Sequence, residues 1–189
     1  IKARLNLLST FAGLAIAVSL LLWVRTQGQA ASIGVYLPGN WPAPFGIVLV
    51  VDHLSALLLT LTGVISFSAL LFARARWDGA GASFHALFQI QLMGLYGAFL
   101  TADLFNLFVF FEVLLAASYG LLLHGSGRAR VRAGLHYIAI NLFASSLFLI
   151  GAAMLYGVTG TLNMADLALK IPLVPEADRG LLHAGAAVS

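Results

Sequence analysis

Cysteine is absent from these 189 residues, and charge is scarce: Asp, Glu, Lys and Arg make up 9% of the chain, against 61% hydrophobic residues. Without thiols there is no disulfide, no thiolate metal site, no haem attachment and no iron–sulfur ligation. A soluble globular domain carries about 25% charged residues, so a water-facing surface cannot be assembled from this composition. Catalytic signatures are missing too. There is no nucleophile elbow, phosphate loop or GxGxxG, and the five histidines show no metal-ligand spacing such as H-E-x-x-H. No metal and no cofactor are expected, nor an enzyme in the ordinary sense. The net charge of +3 does not indicate a nucleic-acid partner, because the basic residues sit at the ends of apolar runs, where membrane topology puts them.

What the chain does have is long apolar runs. A spanning helix needs about 20 mostly apolar residues. The first span is expected at about Leu5–Val24, flanked by Lys2, Arg4 and Arg25. A connector over Thr26–Pro44 carries Pro38, Pro42 and Pro44 with Gly28, Gly34 and Gly39, which forbids regular helix. Tyr36 and Trp41 in it suit an interfacial position. The second span is expected at Phe45–Phe72, with Asp52 and His53 inside its first turns.

Phe84 to Leu123 is nearly unbroken apolar sequence. As one helix it would be roughly 60 Å long, about twice the hydrocarbon thickness, so it must fold back. The breakpoint is Thr101-Ala102-Asp103, where Thr or Asp can cap the next helix. That divides it into a third span, Phe84–Leu100, and a fourth, Leu104–Leu123. His124–Arg132 is expected as a loop with three arginines. A fifth span follows at Gly134–Val158, then a short interfacial helix at Thr161–Leu169 capped by Thr161 or Asn163. Leu181 onward begins a sixth span. The chain opens on Ile1 and stops at Ser189 inside that apolar run, so both ends are expected to be cut.

The fold class is therefore an all-α polytopic membrane bundle, one domain over residues 1–189. With five alternating spans, Lys2, Arg4, Arg74, Arg76, Arg128, Arg130 and Arg132 share one side, while Arg25, Lys170 and Arg179 lie on the other. The positive-inside rule then puts the N-terminal end in the cytoplasm.

Glu112 stands out inside this frame. It is the ninth residue of the fourth span, about 12 Å from its start at 1.5 Å per residue. An ionised carboxylate facing lipid there costs several kcal/mol, so it must face the bundle interior, a cation or water. It reads either as a proton carrier or as a protonated acid holding a neighbouring helix, and intramembrane acids are functional by default. Asp103 is a helix cap or a channel mouth, with Asn106 continuing that polar edge. Asp52 caps the second span or pairs with a cation, and His53 is interfacial. In the fifth span, Asn141 and Ser145 are four residues apart and share a face. They read as interhelical hydrogen bonds or as a water path, with His136 as a possible relay that titrates near neutral pH. His85 and Gln89 share a face of the third span, with His85 at its interfacial end. His124 and His183 carry no signal.

The segment DLFNLFVFFEVLLAASY at Asp103–Tyr119 resembles the signature of the D subunit of Mrp-type multisubunit monovalent cation/proton antiporters. YGVTGTLNMADLA at Tyr156–Ala168 is similar to the corresponding stretch of the same subunit, and GLHYIAINLFASSLFL at Gly134–Leu149 fits in order and spacing. The wider superfamily includes antiporter-like membrane subunits of respiratory complex I and of membrane-bound hydrogenases. The resemblance implies a secondary-transporter subunit of a bacterial inner membrane, exchanging protons for Na+ or another monovalent cation, with other membrane subunits as partners and no cofactor. The alternative is an antiporter-like proton-pumping subunit of a redox complex. It also implies that Glu112 is the family's proton-carrying glutamate, paired with a lysine on a later helix beyond Ser189. Lys170, beside Pro172, is not a substitute. Relatives often carry lysine where this chain has His136, so a permanent charge is not expected there.

Overall fold

The computed structural model describes residues 1–27, 33–41, 46–81, 83–125 and 127–188. Seven helices are present among them: α1 (Lys2–Thr26), α2 (His53–Arg74), α3 (Phe84–Leu100), α4 (Leu104–Leu122), α5 (Arg128–Thr159), α6 (Met164–Lys170) and α7 (Arg179–Val188). By length and composition α1, α2, α4 and α5 can each cross a membrane, and α3 is an apolar helix of 17 residues. The protein is a multi-pass helical bundle.

Several local outcomes differ from the sequence reading. The second helix does not begin at 45. Residues 49–51 form a strand instead, β2 (Leu49–Val51), antiparallel to β1 (Gly34–Tyr36). The connector thus contributes a two-stranded pair that hydropathy alone does not reveal, because Ile47 to Val51 is as apolar as a helix would be. Pro42 and Pro44, like Gly28 and Phe45, lie outside the described residues. Asp52 and His53 are consequently not inside the helix: His53 is its first residue and Asp52 its N-cap. Asp52 Oδ1 accepts from the Ser55 amide at 2.8 Å and the Ser55 hydroxyl lies 2.8 Å from the Asp52 amide, a reciprocal capping box.

The arginine-bearing segment is also not a loop. α5 starts at Arg128, six residues before the expected span, so Arg128, Arg130 and Arg132 occupy its first turns. Nothing between Ala129 and Ala133 breaks a helix, and Arg130 lies over the Trp77 ring at 4.9 Å, a cation–π contact that holds the extension in place. At 32 residues, α5 is about 48 Å long, which exceeds the hydrocarbon thickness. It ends at Gly160, whose φ of 68° is the left-handed conformation typical of a glycine stop.

Packing is by antiparallel hairpins. α1 lies against α2, with Gly63 close to Leu14 and the Phe11 and Phe67 rings 5.9 Å apart. α3 lies against α4 through three glycines. A Cβ on Gly94 would meet the Leu114 backbone, one on Gly97 the Phe110 ring, and one on Gly120 the Leu87 side chain. Small residues at such contacts let membrane helices approach closely where no hydrophobic force draws them together. α5 packs on α7, where Gly185 sits against Gly151 and Met154. Leu155, Val174 and Leu182 form a small buried cluster at this end.

Candidate functional site

The α3–α4 turn is the anchor. Ala102 donates its amide to the Val48 carbonyl at 2.9 Å, and its own carbonyl accepts from Met164 at 2.8 Å. Leu104 donates to Leu162 at 2.9 Å, and Asp103 bridges to Asn163. Three connectors, around Val48, Ala102 and Leu162, are thus stitched side by side. Two of them repeat one device. Thr101-Ala102-Asp103 precedes α4 and Thr161-Leu162-Asn163 precedes α6. In each, the threonine hydroxyl lies 3.3 Å from the amide two residues on. The third residue then caps the helix, Asp103 accepting from Asn106 at 2.9 Å and Asn163 from Ala165 and Asp166 at 3.1 Å each. Such side-chain caps satisfy amides that a helix start leaves open.

Asp103 is therefore the cap that the turn called for, and it is buried. It also lines a cleft of about 280 Å³ with Asn106, Gly46, Ile47 and Tyr156. Asn106 is buried as well, donating to Thr101 Oγ1 at 2.9 Å. One carboxylate oxygen of Asp103 caps α4, and the residue borders this recess.

From this anchor α4 carries Glu112 two turns into the bundle. Leu114 and Phe110 face the α3 glycines. The opposite face meets α5: Phe108 stacks on Phe148 at 6.2 Å, Phe111 meets the same ring edge-on at 6.3 Å, and Tyr119 meets Tyr137 at 5.7 Å. Glu112 is one turn from Phe108 and two from Tyr119, so it shares this α5-facing side. Its Oε1 is buried and has no hydrogen-bond partner among the described residues. An acid serving only as helix glue would be expected to spend that oxygen on a neighbour, since an unsatisfied buried polar atom costs about 1–3 kcal/mol.

The antiparallel contacts also set the level of each α5 residue. Tyr137 lies opposite Tyr119 and Phe148 opposite Phe108, so Glu112 is level with Ala144, beside Ser145 and within a turn of Asn141. Asn141 and Ser145 line a cleft of about 390 Å³ with Phe108, Phe111, Leu115 and Val188. Asn141 Nδ2 donates to the Tyr137 carbonyl of its own helix at 2.7 Å. Ser146, on the other side, bonds back to Leu142 at 2.8 Å. His136 is not brought to the carboxylate. It lies on α5 two turns from Ala144, the residue level with Glu112, and is exposed, with Nδ1 2.9 Å from the Arg132 carbonyl.

Outside the spans, the Ser55 amide and hydroxyl hold the Asp52 carboxyl below the usual aspartate range against the opposing effect of burial. Lys170 sits 2.9 Å from Asp166 and, with the Thr161 hydroxyl, lowers that carboxyl, so this lysine is engaged locally and not at Glu112. Among the described residues no group of three His, Asp or Glu could hold a metal ion.

One polar group was missed from sequence. Asn6 and Thr10 on α1, both buried, meet His85 and Gln89 on α3. The shared face of His85 and Gln89 was visible in their spacing, but the partner helix was not.

Residues 101–185 match the family described as NADH:quinone oxidoreductase/Mrp antiporter, TM. The chain is 62% identical over 161 residues to the D subunit of the probable K(+)/H(+) antiporter of Rhizobium meliloti, covering 85% of this chain and 30% of that protein. It is 48% identical over 135 residues to the D subunit of the Na(+)/H(+) antiporter of Alkalihalophilus pseudofirmus, covering 70% of this chain and 27% of that protein. Among solved structures, the membrane-bound sulfane sulfur reductase, an archaeal respiratory membrane complex, contains a chain that superposes with a TM-score of 0.87 at 30% identity. The Mrp complex from Dietzia sp. DQ12-45-1b contains one with a TM-score of 0.75 at 35% identity. Each superposition covers 98% of this chain, and 37% and 36% of the respective neighbours. The chain spans less than a third of the length of the two curated relatives.

Proposed function

Because the chain belongs to the antiporter-like membrane subunits shared by NADH:quinone oxidoreductase and Mrp antiporters, we propose that it works in a multisubunit monovalent cation/proton antiporter. In this reading Glu112 is the group that takes up and releases the transported proton. The observation that carries it is the carboxylate itself: two turns inside α4, on the α5-facing side, with one oxygen buried and unpartnered among the described residues.

The chemistry follows from competing effects. Burial favours the neutral acid, while an approaching cation favours the carboxylate. A group held between the two loads a proton when the cation withdraws and gives it up when the cation returns. Asn141 and Ser145 border the cleft at the level of Glu112 and would hold the water that carries the proton to it. The Asp103 recess would be the mouth on one side, and His136, with the Tyr137–Tyr119 contact between it and Glu112, the relay on the other. Each charge moved through the membrane is worth about 2.3 kcal/mol per 100 mV, which supplies the driving force. In this reading that side, and the start of α1, faces the cytoplasm of a bacterial inner membrane, which the arginine-rich ends of α2 and α5 support through the positive-inside rule. The transported ion is a monovalent cation, Na+ or K+, since the two antiporter relatives are named for one each.

The test is Glu112→Gln in the whole protein, expressed in its native complex and assayed in everted vesicles for cation-dependent collapse of an imposed pH gradient. Both Na+ and K+ are tried. Normal assembly with exchange lost supports the carrier role, and unchanged exchange refutes it. The superposition on a respiratory reductase chain favours one second reading, a proton-pumping subunit of a redox complex with the same channel chemistry. Purification of the native complex separates the two. A peripheral arm with flavin and iron–sulfur subunits would favour pumping, and small membrane subunits alone would favour exchange.

A further inference from the structure

The polar group between α1 and α3 has a direction. The Ser9 hydroxyl donates to Gln89 Oε1 at 3.1 Å. Gln89 Nε2 donates to Asn6 Oδ1, and to Thr10 Oγ1 at 2.9 Å. Asn6 Nδ2 lies 2.9 Å from His85 Nδ1. His85 Nε2 lies 3.6 Å from Asp78 Oδ2. An amide nitrogen only donates, so His85 Nδ1 must accept, which leaves the ring proton on Nε2, pointing at Asp78. Every donor in the string therefore points the same way, from Ser9 through Gln89, Asn6 and His85 to the Asp78 carboxylate.

We infer that His85 is a second proton-binding site, separate from Glu112, whose occupancy sets the polarity of this string. A proton arriving on Nδ1 turns an acceptor into a donor facing a donor. Asn6 must then turn its amide so that Oδ1 accepts from His85. Its Nδ2 now faces Gln89, which must turn in its place and present Nε2 to Ser9. The imidazolium meanwhile faces Asp78 as a charge pair. The amides carry no excess proton, so the string is a switch and not a conduction wire. Its far end lies at the exposed Ser9 and at Thr10, which is 1% exposed and bonds to the Asn6 carbonyl at 2.8 Å. A signal from the Asp78 end thereby reaches the buried Thr10 between α1 and α3. Proton access is open, since the His85 and Asp78 side chains are 16% and 22% exposed and a cleft of about 440 Å³ opens between Lys2, Asn6, Ser83 and Gln89. The charged or titratable groups facing His85 are Asp78 from the turn before α3, Lys2 from α1 across that cleft, and His124 from the end of α4. His124 is separated from it by Phe84, whose ring is 5.4 Å from His85 and 5.3 Å from His124.

The test uses the whole wild-type protein in lipid nanodiscs, with ¹⁵N labels on the histidine rings and on the asparagine and glutamine side chains. A ¹³C-phenylalanine label at Phe84, in the one Phe–His pair of these 189 residues, together with loss of the signals in His85→Gln, assigns His85. Solid-state NMR at alkaline pH should show His85 with a bare Nδ1 and a protonated Nε2. On acidification Nδ1 should become protonated, and the side-chain amide signals of Asn6 and Gln89 should shift with the same midpoint. A bare Nε2 at alkaline pH, or amide signals indifferent to the His85 titration, overturns the switch. This readout does not depend on what the protein transports. Where exchange is measured as well, His85→Gln should lose one inflection of the pH–activity profile while keeping plateau activity, and an unchanged profile argues against any coupling of the switch to transport.

Discussion

Gly94→Ala is the substitution whose cost can be worked most directly from the packing that positions Glu112. A Cβ at Gly94 would stand 2.8 Å from both the Leu114 amide nitrogen and its Cβ, and 2.9 Å from its Cα. Ordinary carbon contacts begin at about 3.5 Å, so α3 and α4 must part by roughly 0.7 Å. No side-chain rotation relieves a clash with backbone. Overpacking of this kind costs about 1–3 kcal/mol, while replacing glycine by alanine in a helix returns up to ~1 kcal/mol. Gly157→Ala is the control, because a Cβ on that α5 glycine meets nothing within 4 Å and only the favourable contribution remains. The difference between the two variants therefore isolates the clash, at about 1–3 kcal/mol. Thermal unfolding in detergent, followed by intrinsic tryptophan fluorescence, should show Gly94→Ala melting below wild type and Gly157→Ala at or above it. Leu114→Ala should not rescue Gly94→Ala. Equal melting of the two variants would refute the argument that backbone contact holds this hairpin.

Gly120→Ala meets a side chain instead, with Leu87 Cδ1 at 2.7 Å, so adding Leu87→Ala should recover part of its lost melting temperature. Asp52→Ala removes the capping box of α2 and should cost about 1 kcal/mol in the same melt. The Asp52 carboxyl is lowered in the folded protein, so its contribution is present above the unfolded aspartate pKa of about 3.9 and is lost as pH falls through the folded value. Asp52→Asn should erase that acid-side dependence while keeping most of the cap. An obligatory proton relay is worth about 10²–10⁴-fold in rate, so His136→Gln should slow vesicle exchange by at least ~100-fold if every proton passes that ring. A loss under about tenfold would assign the imidazole a marginal part. Asn141→Ala with Ser145→Ala should slow exchange without altering assembly, and an unchanged rate would remove both from the water path.

The hairpin at Thr101-Ala102-Asp103 was legible because an apolar run of that length cannot remain one helix in a bilayer, and only one place in it could start another. The third helix occupies Phe84–Leu100, and the fourth begins at Leu104. Residues 49–51 were not legible as strand, since Ile, Leu and Val suit a strand as well as a spanning helix. Pairing with β1 and the hydrogen bond from Ala102 to Val48 decide the matter. The start of α5 was misplaced for a different reason. Arginines are good helix formers, and their charge marks the water boundary without ending the helix.

Composition and hydropathy alone determined that this is a multi-pass membrane protein, and the lone acid in DLFNLFVFFEVLLAASY after its capping aspartate determined where to look for chemistry. Both follow from the solvent: apolar runs partition into lipid, and a carboxylate among them is costly enough to need a reason. Only the tertiary structure decided what that acid faces. The α3 glycines turn one side of α4 toward α3, and Glu112 is left on the side that meets α5, level with Ala144. It also separated His136 from Glu112, and brought His85 to Asn6 across 79 positions of sequence. Periodicity reports which residues of one helix share a face. Which helix that face meets depends on contacts made elsewhere in the chain.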